Sequence, residues 1–145
     1  MTMVDLDAIM DIEPDLYLHP WSRGNFSDSL QSGYAAWVLQ HTNHIIGYAL
    51  MMFVLDEAHL LNLSIAKAYQ KKGLGRYLLE YMIKQAKQHH ATNMFLEVRT
   101  SNISAIALYE NIGFNEMAIR RGYYPADPKV FKSGREDAVL MGLAI

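Results

Sequence analysis

The chain has 145 residues, of which 51% are hydrophobic and 19% are charged, and its formal net charge is −2. This length suits one domain, residues 1–145, and the near-neutral charge provides no general basic surface for nucleic acid or an anionic membrane. The absence of cysteine excludes a disulfide framework and a cysteine nucleophile. No apolar run approaches the roughly 18 residues that cross a bilayer, and no secretory leader is recognisable, so we expect a soluble, cytoplasmic protein without a membrane partner.

Two short helices are predicted near the N terminus. Residues 5–12 place apolar side chains at helical spacing behind acidic residues in the first turn. Pro14 is expected to end this helix, because proline lacks the backbone N–H that the helical ladder requires. Ser22 is expected to cap a second helix that runs towards Gln31.

A hairpin is predicted next. Residues 34–40 and 45–55 are rich in β-branched and aromatic side chains, and the four residues between them are polar. Residues 56–59 are expected to form a second turn, which leads into a buried strand at 60–66.

A strand, a helix and a strand occupy the middle of the chain. An amphipathic helix is predicted from about Gly73 to His89, between the strand at 60–66 and an apolar strand at 94–98. Two strands joined by a helix in this way are parallel, with a right-handed crossover.

The last third predicts one helix and two strands. Ser101 or Asn102 is expected to cap a helix over residues 103–111, and strands are expected at 114–121 and 136–143, joined by a long loop. Together the elements predict an α+β (α/β) fold, with a mixed and mostly antiparallel sheet, a central parallel βαβ unit and helices on both faces.

The loop before the central helix has the features of an anion site. Its residues are Gln70, Lys71, Lys72, Gly73, Leu74, Gly75 and Arg76. The first N–H groups of a helix lack intrahelical partners and carry partial positive charge, and glycines allow a ligand to approach the main chain. The mononucleotide loop is excluded because its Gly-Lys-Ser/Thr ending is missing, and the dinucleotide fingerprint because Leu78 occupies its third small position. The remaining alternatives are a pyrophosphate site and an ordinary loop with a solvated basic face.

Two further residues carry candidate chemistry. Glu97 interrupts an apolar strand, where it is either a general base partly withdrawn from water or an acid that pairs with Arg99 or faces solvent. Tyr109 lies among apolar residues of the predicted helix 103–111, which also suits a packed core tyrosine. The six histidines show no metal-ligand spacing, so no metal is predicted.

These motifs resemble the GNAT superfamily of N-acetyltransferases. The Gln-x-x-Gly-x-Gly loop resembles the acetyl-coenzyme A motif of that superfamily. Residues 96–99 (Leu-Glu-Val-Arg), 105–110 (Ala-Ile-Ala-Leu-Tyr-Glu), 123–125 (Tyr-Tyr-Pro) and 136–138 (Glu-Asp-Ala) are similar to the bacterial family that acetylates the N-terminal alanine of small-subunit ribosomal protein eighteen. That superfamily usually opens with a strand, and the few residues before the first helix leave this strand short or missing here.

The resemblance implies roles for individual residues. Glu97 would act as the general base and Tyr109 would protonate the departing coenzyme A sulfur. The loop from Gln70 to Arg76 would hold the pyrophosphate, and Asn102 would also contact the cofactor. The backbone of the segment Leu63, Ser64 and Ile65 would pair with the pantetheine arm like an added strand.

The resemblance also implies acetyl-coenzyme A as the acetyl donor, a ribosomal protein N terminus as the acceptor, and direct attack in a ternary complex without an acetyl-enzyme. Residues 126–134 extend the family's usual loop and are expected to border the acceptor site. Trp21 and Phe131 are candidates for the acceptor groove or for packing. The alternatives are acetylation of a small amine or a lysine side chain, and a non-catalytic acetyl-coenzyme A-binding module.

Overall fold

The computed structural model describes residues 1–145, whose strands form one six-stranded sheet. The strands are β1 (Ala35–His41), β2 (His44–Val54), β3 (Glu57–Ile65), β4 (Asn93–Arg99), β5 (Asn115–Pro125) and β6 (Arg135–Ala144). The helices are α1 (Leu6–Leu16), α2 (Arg23–Gln31), α3 (Leu74–Gln88) and α4 (Ile103–Ile112), with 3₁₀ turns at Met3–Asp5 and Lys67–Tyr69. In space the strands follow the order β1-β2-β3-β4-β6-β5.

One neighbouring pair of strands is parallel. β3 and β4 run in the same direction and are connected by α3, whereas every other neighbouring pair is antiparallel. The predicted α+β (α/β) fold, with its mostly antiparallel sheet and central βαβ unit, is therefore confirmed. The family's opening strand is absent, because Met3–Asp5 form a 3₁₀ turn instead.

β3 and β4 separate halfway along their length. Their pairing covers only residues 57–60 of β3 and 93–96 of β4. The register of β3 against β2 shifts between Leu50 and Met51, which leaves Leu61 as an extra residue. Because such a bulge bends a strand and increases its twist, the second half of β3 turns away from β4 and the sheet opens between them.

The two faces of the sheet carry separate cores. Along β2, Ala49 and Met51 belong to the larger core, which α3 and α4 cover, while Tyr48 and Leu50 belong to the smaller one beneath α1 and α2. This alternation follows from the two-residue period of a strand. Helices therefore cover both faces, as predicted. None of these helices combines the length and apolar character that a membrane span needs.

The prediction that Pro14 ends the first helix is wrong. α1 continues through Pro14 to Leu16, although proline removes one backbone hydrogen bond there. Glu13 is buried and accepts hydrogen bonds from Tyr48 and from the backbone N–H of Trp21. These tertiary contacts fix the last turn of α1 against the sheet and offset the cost of the proline.

Two predicted boundaries are also wrong. The turn after β2 is shorter than residues 56–59, because β3 already starts at Glu57. The long loop after the fifth strand is shorter as well, because β5 continues to Pro125 and pairs again with the start of β6. Turn signals in the sequence do not reveal this pairing, which depends on contacts with a distant strand.

The larger core makes a direct stability prediction. Leu79 on α3 is fully buried, so Leu79→Ala removes apolar contacts and leaves a cavity. We expect this change to lower the free energy of unfolding by about 2–5 kcal/mol in chemical denaturation. Lys84→Ala, on the exposed side of the same helix, serves as the control and should change it by less than about 0.5 kcal/mol. Equal effects of both substitutions would contradict this packing of α3.

Candidate active site

The gap between β3 and β4 leads into a cleft of about 280 Å³. Its walls come from the parted ends of the two strands, from the segment after α1, from α4 and from the end of β5. Beyond residue 60, the edge of β3 that faces β4 lacks a partner strand. Unpaired backbone groups at a strand edge readily bind an extended ligand.

Glu97 lies on β4 at this cleft. Its side chain is 23% exposed, and its carboxylate is 3.2 Å from Nε of Arg120 on β5. The alternative partner that the sequence suggested, Arg99, instead forms an ion pair with Glu136. Because Leu96 and Val98 face the larger core, Glu97 faces the side of the sheet that α1 and α2 cover.

Tyr109 reaches the cleft from the opposite face. Its ring packs in the larger core against Phe114, with 5.8 Å between ring centroids. Its hydroxyl makes no hydrogen bond within the chain, yet it is not sealed off from solvent, since the residue lines the cleft. Burial, followed by the nearby phenol of Tyr17, raises the pKa of Tyr109 well above its ordinary value.

Tyr124 lines the side of the cleft near β5, and Tyr123 is its neighbour on that strand. The rings of Tyr123 and Tyr124 lie edge to face, 4.9 Å apart, and the guanidinium of Arg99 lies 4.5 Å from the Tyr124 ring centroid. The carboxylate of Glu97 is the main cause of a raised pKa at Tyr123, whereas burial is the main cause at Tyr124. The surroundings of Glu97 are therefore both aromatic and charged.

The N terminus of α3 presents unpaired backbone donors, as an anion site requires. Gly73 precedes the helix with φ +82°, a left-handed conformation that favours glycine, and provides no side-chain cap. Lys71 and Lys72 adjoin it without an ion pair, while Arg76 pairs with Glu80 at 2.9 Å. An uncapped helix start beside two lysines that form no ion pair suits a pyrophosphate.

Comparison with known proteins agrees with this architecture. Residues 6–114 match the model of the acetyltransferase (GNAT) family. The chain belongs to this family. The resemblance recognised in the sequence is thereby confirmed.

Individual relatives of this acetyltransferase narrow the comparison from the family to one kind of enzyme. It is 42% identical over 141 residues to the [ribosomal protein bS18]-alanine N-acetyltransferase of Escherichia coli K12, covering 97% of this chain and 92% of that one. It is 43% identical over 137 residues to the enzyme of the same name from Haemophilus influenzae, covering 94% and 90%. The crystal structure of the Escherichia coli enzyme superposes with a TM-score of 0.90 at 41% identity, covering 100% of this chain and 90% of that one.

A more distant structure shares the fold alone. Naa20 from Chaetomium thermophilum, determined in complex with a bisubstrate analogue, has a TM-score of 0.85 at 23% identity and covers 100% of this chain and 84% of that one.

The cleft brings together four of the predicted site residues, whereas Ser64, Ile65 and residues 70–76 do not line it. Glu97, Asn102, Tyr109 and Leu63 all line it, and Trp21 does so as well. None of the residues 126–134 lines it, so a place for this loop and for Phe131 at the acceptor site remains a prediction. The loop instead closes on itself through backbone bonds such as that from Ala126 to Gly134.

Two predicted cofactor-binding residues have partners within the chain. Gln70 donates from Nε2 to the carbonyl of Ile65 at 2.9 Å, which ties the loop to the end of β3. Asn102 caps α4 by accepting from the backbone N–H of Ala105 at 3.3 Å. Their amide groups therefore help to shape the site, and their contact with a cofactor remains a prediction.

Several residues of the cleft were missed in the sequence. Glu13, Tyr17 and His19 also line it, as do Tyr124 and Pro125, which the sequence had marked only as part of a family motif. A signal existed for Glu13, because the helical spacing from Leu6 and Ile9 puts it on the apolar face of α1. The others become neighbours only when distant elements pack together.

Glu136 is a buried carboxylate that holds the turn after β4, next to the cleft. It is only 3% exposed, and its carboxylate accepts from Arg99 at 3.2 Å, from the hydroxyl of Thr100 at 3.2 Å and from the backbone N–H of Ser101 at 2.8 Å. Burial alone would raise the pKa of this carboxyl, but hydrogen bonds from Ser101, Arg99 and Thr100 outweigh it and hold the pKa below its ordinary value. The charged form of Glu136 thus stabilises the turn that joins β4 to α4.

This lowered pKa predicts a pH-dependent loss of stability. A carboxyl with a lower pKa in the folded chain stabilises the fold above its unfolded pKa, and this contribution disappears as the pH falls through the folded value. Glu136→Gln should therefore cost about 2 kcal/mol of unfolding free energy at pH 7, and progressively less as the pH falls below the ordinary glutamate pKa of about 4.3. Glu116→Gln, at an exposed position, should match the wild type. If the loss of unfolding free energy in Glu136→Gln does not change with pH, the charge of the Glu136 carboxylate does not contribute to stability.

Proposed function

We propose that this chain transfers the acetyl group of acetyl-coenzyme A to the N-terminal α-amine of a protein, with the N-terminal alanine of ribosomal protein bS18 as its acceptor. The arrangement that carries this proposal is the placement of Glu97 and Tyr109 on opposite faces of the gap between β3 and β4. An acceptor and a donor entering from the two faces would meet between these side chains. The acceptor is inferred from the relatives of 42–43% identity, which are named for it.

The residues present suit acetyl-coenzyme A. The free edge of β3 at Leu63, Ser64 and Ile65 has backbone groups for the pantetheine amides, and the N terminus of α3 with Lys71 and Lys72 suits the pyrophosphate. When bound, this cofactor supplies an acetyl group activated as a thioester. No group of three or more metal-binding side chains is clustered in the chain, and the proposed chemistry needs none.

Glu97 is proposed as the group that accepts a proton from the α-amine. An α-amine with a pKa near 8 is about one-tenth neutral at pH 7, whereas a lysine amine near 10.4 is less than one-thousandth neutral. The α-amine therefore needs less help with its proton from the carboxylate of Glu97, which lies 3.2 Å from Nε of Arg120. The amine then attacks the thioester carbonyl directly, without an acetyl-enzyme.

Tyr109 is proposed to donate a hydrogen bond or a proton to the departing sulfur. A thiol has a pKa of about 8.5, so protonation by an ordinary tyrosine at about 10 is already uphill by roughly 2 kcal/mol. The raised pKa of Tyr109 makes full transfer costlier still. Its main contribution is therefore to stabilise the developing thiolate, which is itself a fair leaving group.

The acceptor is tested with two peptides that copy the alanine N terminus of bS18, one free and one blocked at its α-amine. Each is incubated with acetyl-coenzyme A and this protein and analysed by mass spectrometry. We expect one acetyl group on the free peptide, at the alanine nitrogen, and none on the blocked peptide. Acetylation of the blocked peptide at lysine would replace this proposal with a side-chain acetyltransferase, and absence of transfer to either peptide would reject bS18 as the acceptor.

The two proposed roles predict unequal effects of substitution. At pH 7, Glu97→Gln should lower kcat by about a hundredfold or more, the usual contribution of a general base, and Tyr109→Phe should lower it less. At pH 9 the α-amine is mostly neutral, so the defect of Glu97→Gln should shrink.

Glu116→Gln and Tyr81→Phe, both at exposed positions, are the matched controls and should retain wild-type rates. A defect of Glu97→Gln that is equally large at pH 9 would argue against its acting as a proton acceptor.

A further inference from the structure

A carboxylate without a cationic partner lies beneath the cleft. Glu13 is 1% exposed and forms no salt bridge. It accepts hydrogen bonds from the hydroxyl of Tyr48, from the backbone N–H of Trp21 at 3.2 Å and from Nδ2 of Asn62 at 3.4 Å. Burial is the main reason that its pKa is raised. Burying an acid without a cationic partner costs free energy, which these hydrogen bonds partly offset.

Hydrogen bonds connect Glu13 to Tyr17 through Asn62 and Ser64, and the donor and acceptor in each of them can be assigned in turn. The backbone N–H of Trp21 can only donate, so the carboxylate of Glu13 must be an acceptor, and Asn62 must turn its NH₂ group towards it. The Oδ1 atom of Asn62 then faces Ser64 and accepts the proton of its hydroxyl at 2.7 Å. With that proton committed, Ser64 can only accept from the hydroxyl of Tyr17, which lies 2.6 Å away.

The chain ends with an oxygen that has spare acceptor capacity. Because the proton of Tyr17 points to Ser64, the remaining lone pairs of its phenolic oxygen have no partner within the protein. Tyr17 lines the same cleft as Glu97 and Tyr109. It is 37% exposed, and its closeness to Tyr109 contributes to the raised pKa there.

We propose that the phenolic oxygen of Tyr17 accepts a hydrogen bond from the α-amino group of the acceptor, across the cleft from Glu97. Glu13 acts through Asn62 and Ser64 as a positioning residue that keeps this oxygen in its accepting orientation. The inference rests on the proposed function, since it concerns how the same acceptor is held. A primary amine offers at least two N–H groups, and acceptors on both sides of the cleft orient its lone pair towards the thioester.

The test compares two peptides in the presence of coenzyme A. One copies the alanine N terminus of bS18, and the other carries a propionyl group in place of the alanine and therefore lacks only the amine. Binding of both is measured by calorimetry for the wild type, Tyr17→Phe and Ser64→Ala. Tyr81→Phe is the matched control, because Tyr81 is also 37% exposed and lies on α3.

Tyr17→Phe should weaken binding of the alanyl peptide about tenfold, equivalent to about 1.4 kcal/mol, and leave binding of the propionyl peptide unchanged. Ser64→Ala should weaken the alanyl peptide in the same selective way, because the freed hydroxyl proton then turns towards the amine. Glu13→Gln should bind the alanyl peptide as the wild type does, because its amide oxygen still accepts from Trp21 and Asn62. The direction of the hydrogen bonds from Tyr17 to Glu13 is then unchanged.

Equal weakening of both peptides by Tyr17→Phe, or no weakening of either, would overturn the inference, since the ring would then contribute only packing or nothing. The proposed function is tested by a separate measurement, the acetylation of the alanyl peptide by the wild type. A wild type that acetylates the alanyl peptide while Tyr17→Phe fails to discriminate between the two peptides rejects the inference alone.

Discussion

The bulge at Leu61 and the parting of β3 from β4 are the constraint on which the rest of the site depends. A backbone edge inside a sheet normally has its partners in the next strand, and leaving it open is costly unless a ligand or water replaces them. Here the edge opens where the parallel pairing stops, beyond residue 60. β3 and β4 lie in the interior of the six-stranded sheet, so this opening falls within the sheet and not at its edge.

The opening also separates two chemical tasks. The face covered by α3 and α4 is the larger core, and it supplies Tyr109 and the uncapped start of α3. The opposite face, beneath α1 and α2, supplies Glu97 and the polar chain that starts at Glu13. In the proposed function, a donor with phosphates and an acceptor with an amine would therefore meet different surroundings, and the sheet would keep them apart except at the gap.

Local signals in the sequence predicted the parts of the structure that depend on local physics. The βαβ unit, the cap at Ser22 and the turn at Gly73 follow from side-chain period, capping oxygen and glycine conformation, and all three are present. Signals for the bulge at Leu61 and for the continuation of α1 through Pro14 are absent, because both arise from packing against distant strands. The same reason explains why the sequence suggested Arg99 as one possible partner of Glu97 and did not suggest Arg120.

The most direct measurement is a crystal structure of this protein with a bisubstrate conjugate, in which coenzyme A is joined through its acetyl group to the α-nitrogen of an alanyl peptide. The pantetheine amides should pair with the backbone of β3 at residues 63–65, and the alanine nitrogen should lie between Glu97 and Tyr17 on the face beneath α1 and α2. A conjugate bound with its peptide on the α3 and α4 face, or with the gap between β3 and β4 closed, would contradict the proposed division of the site.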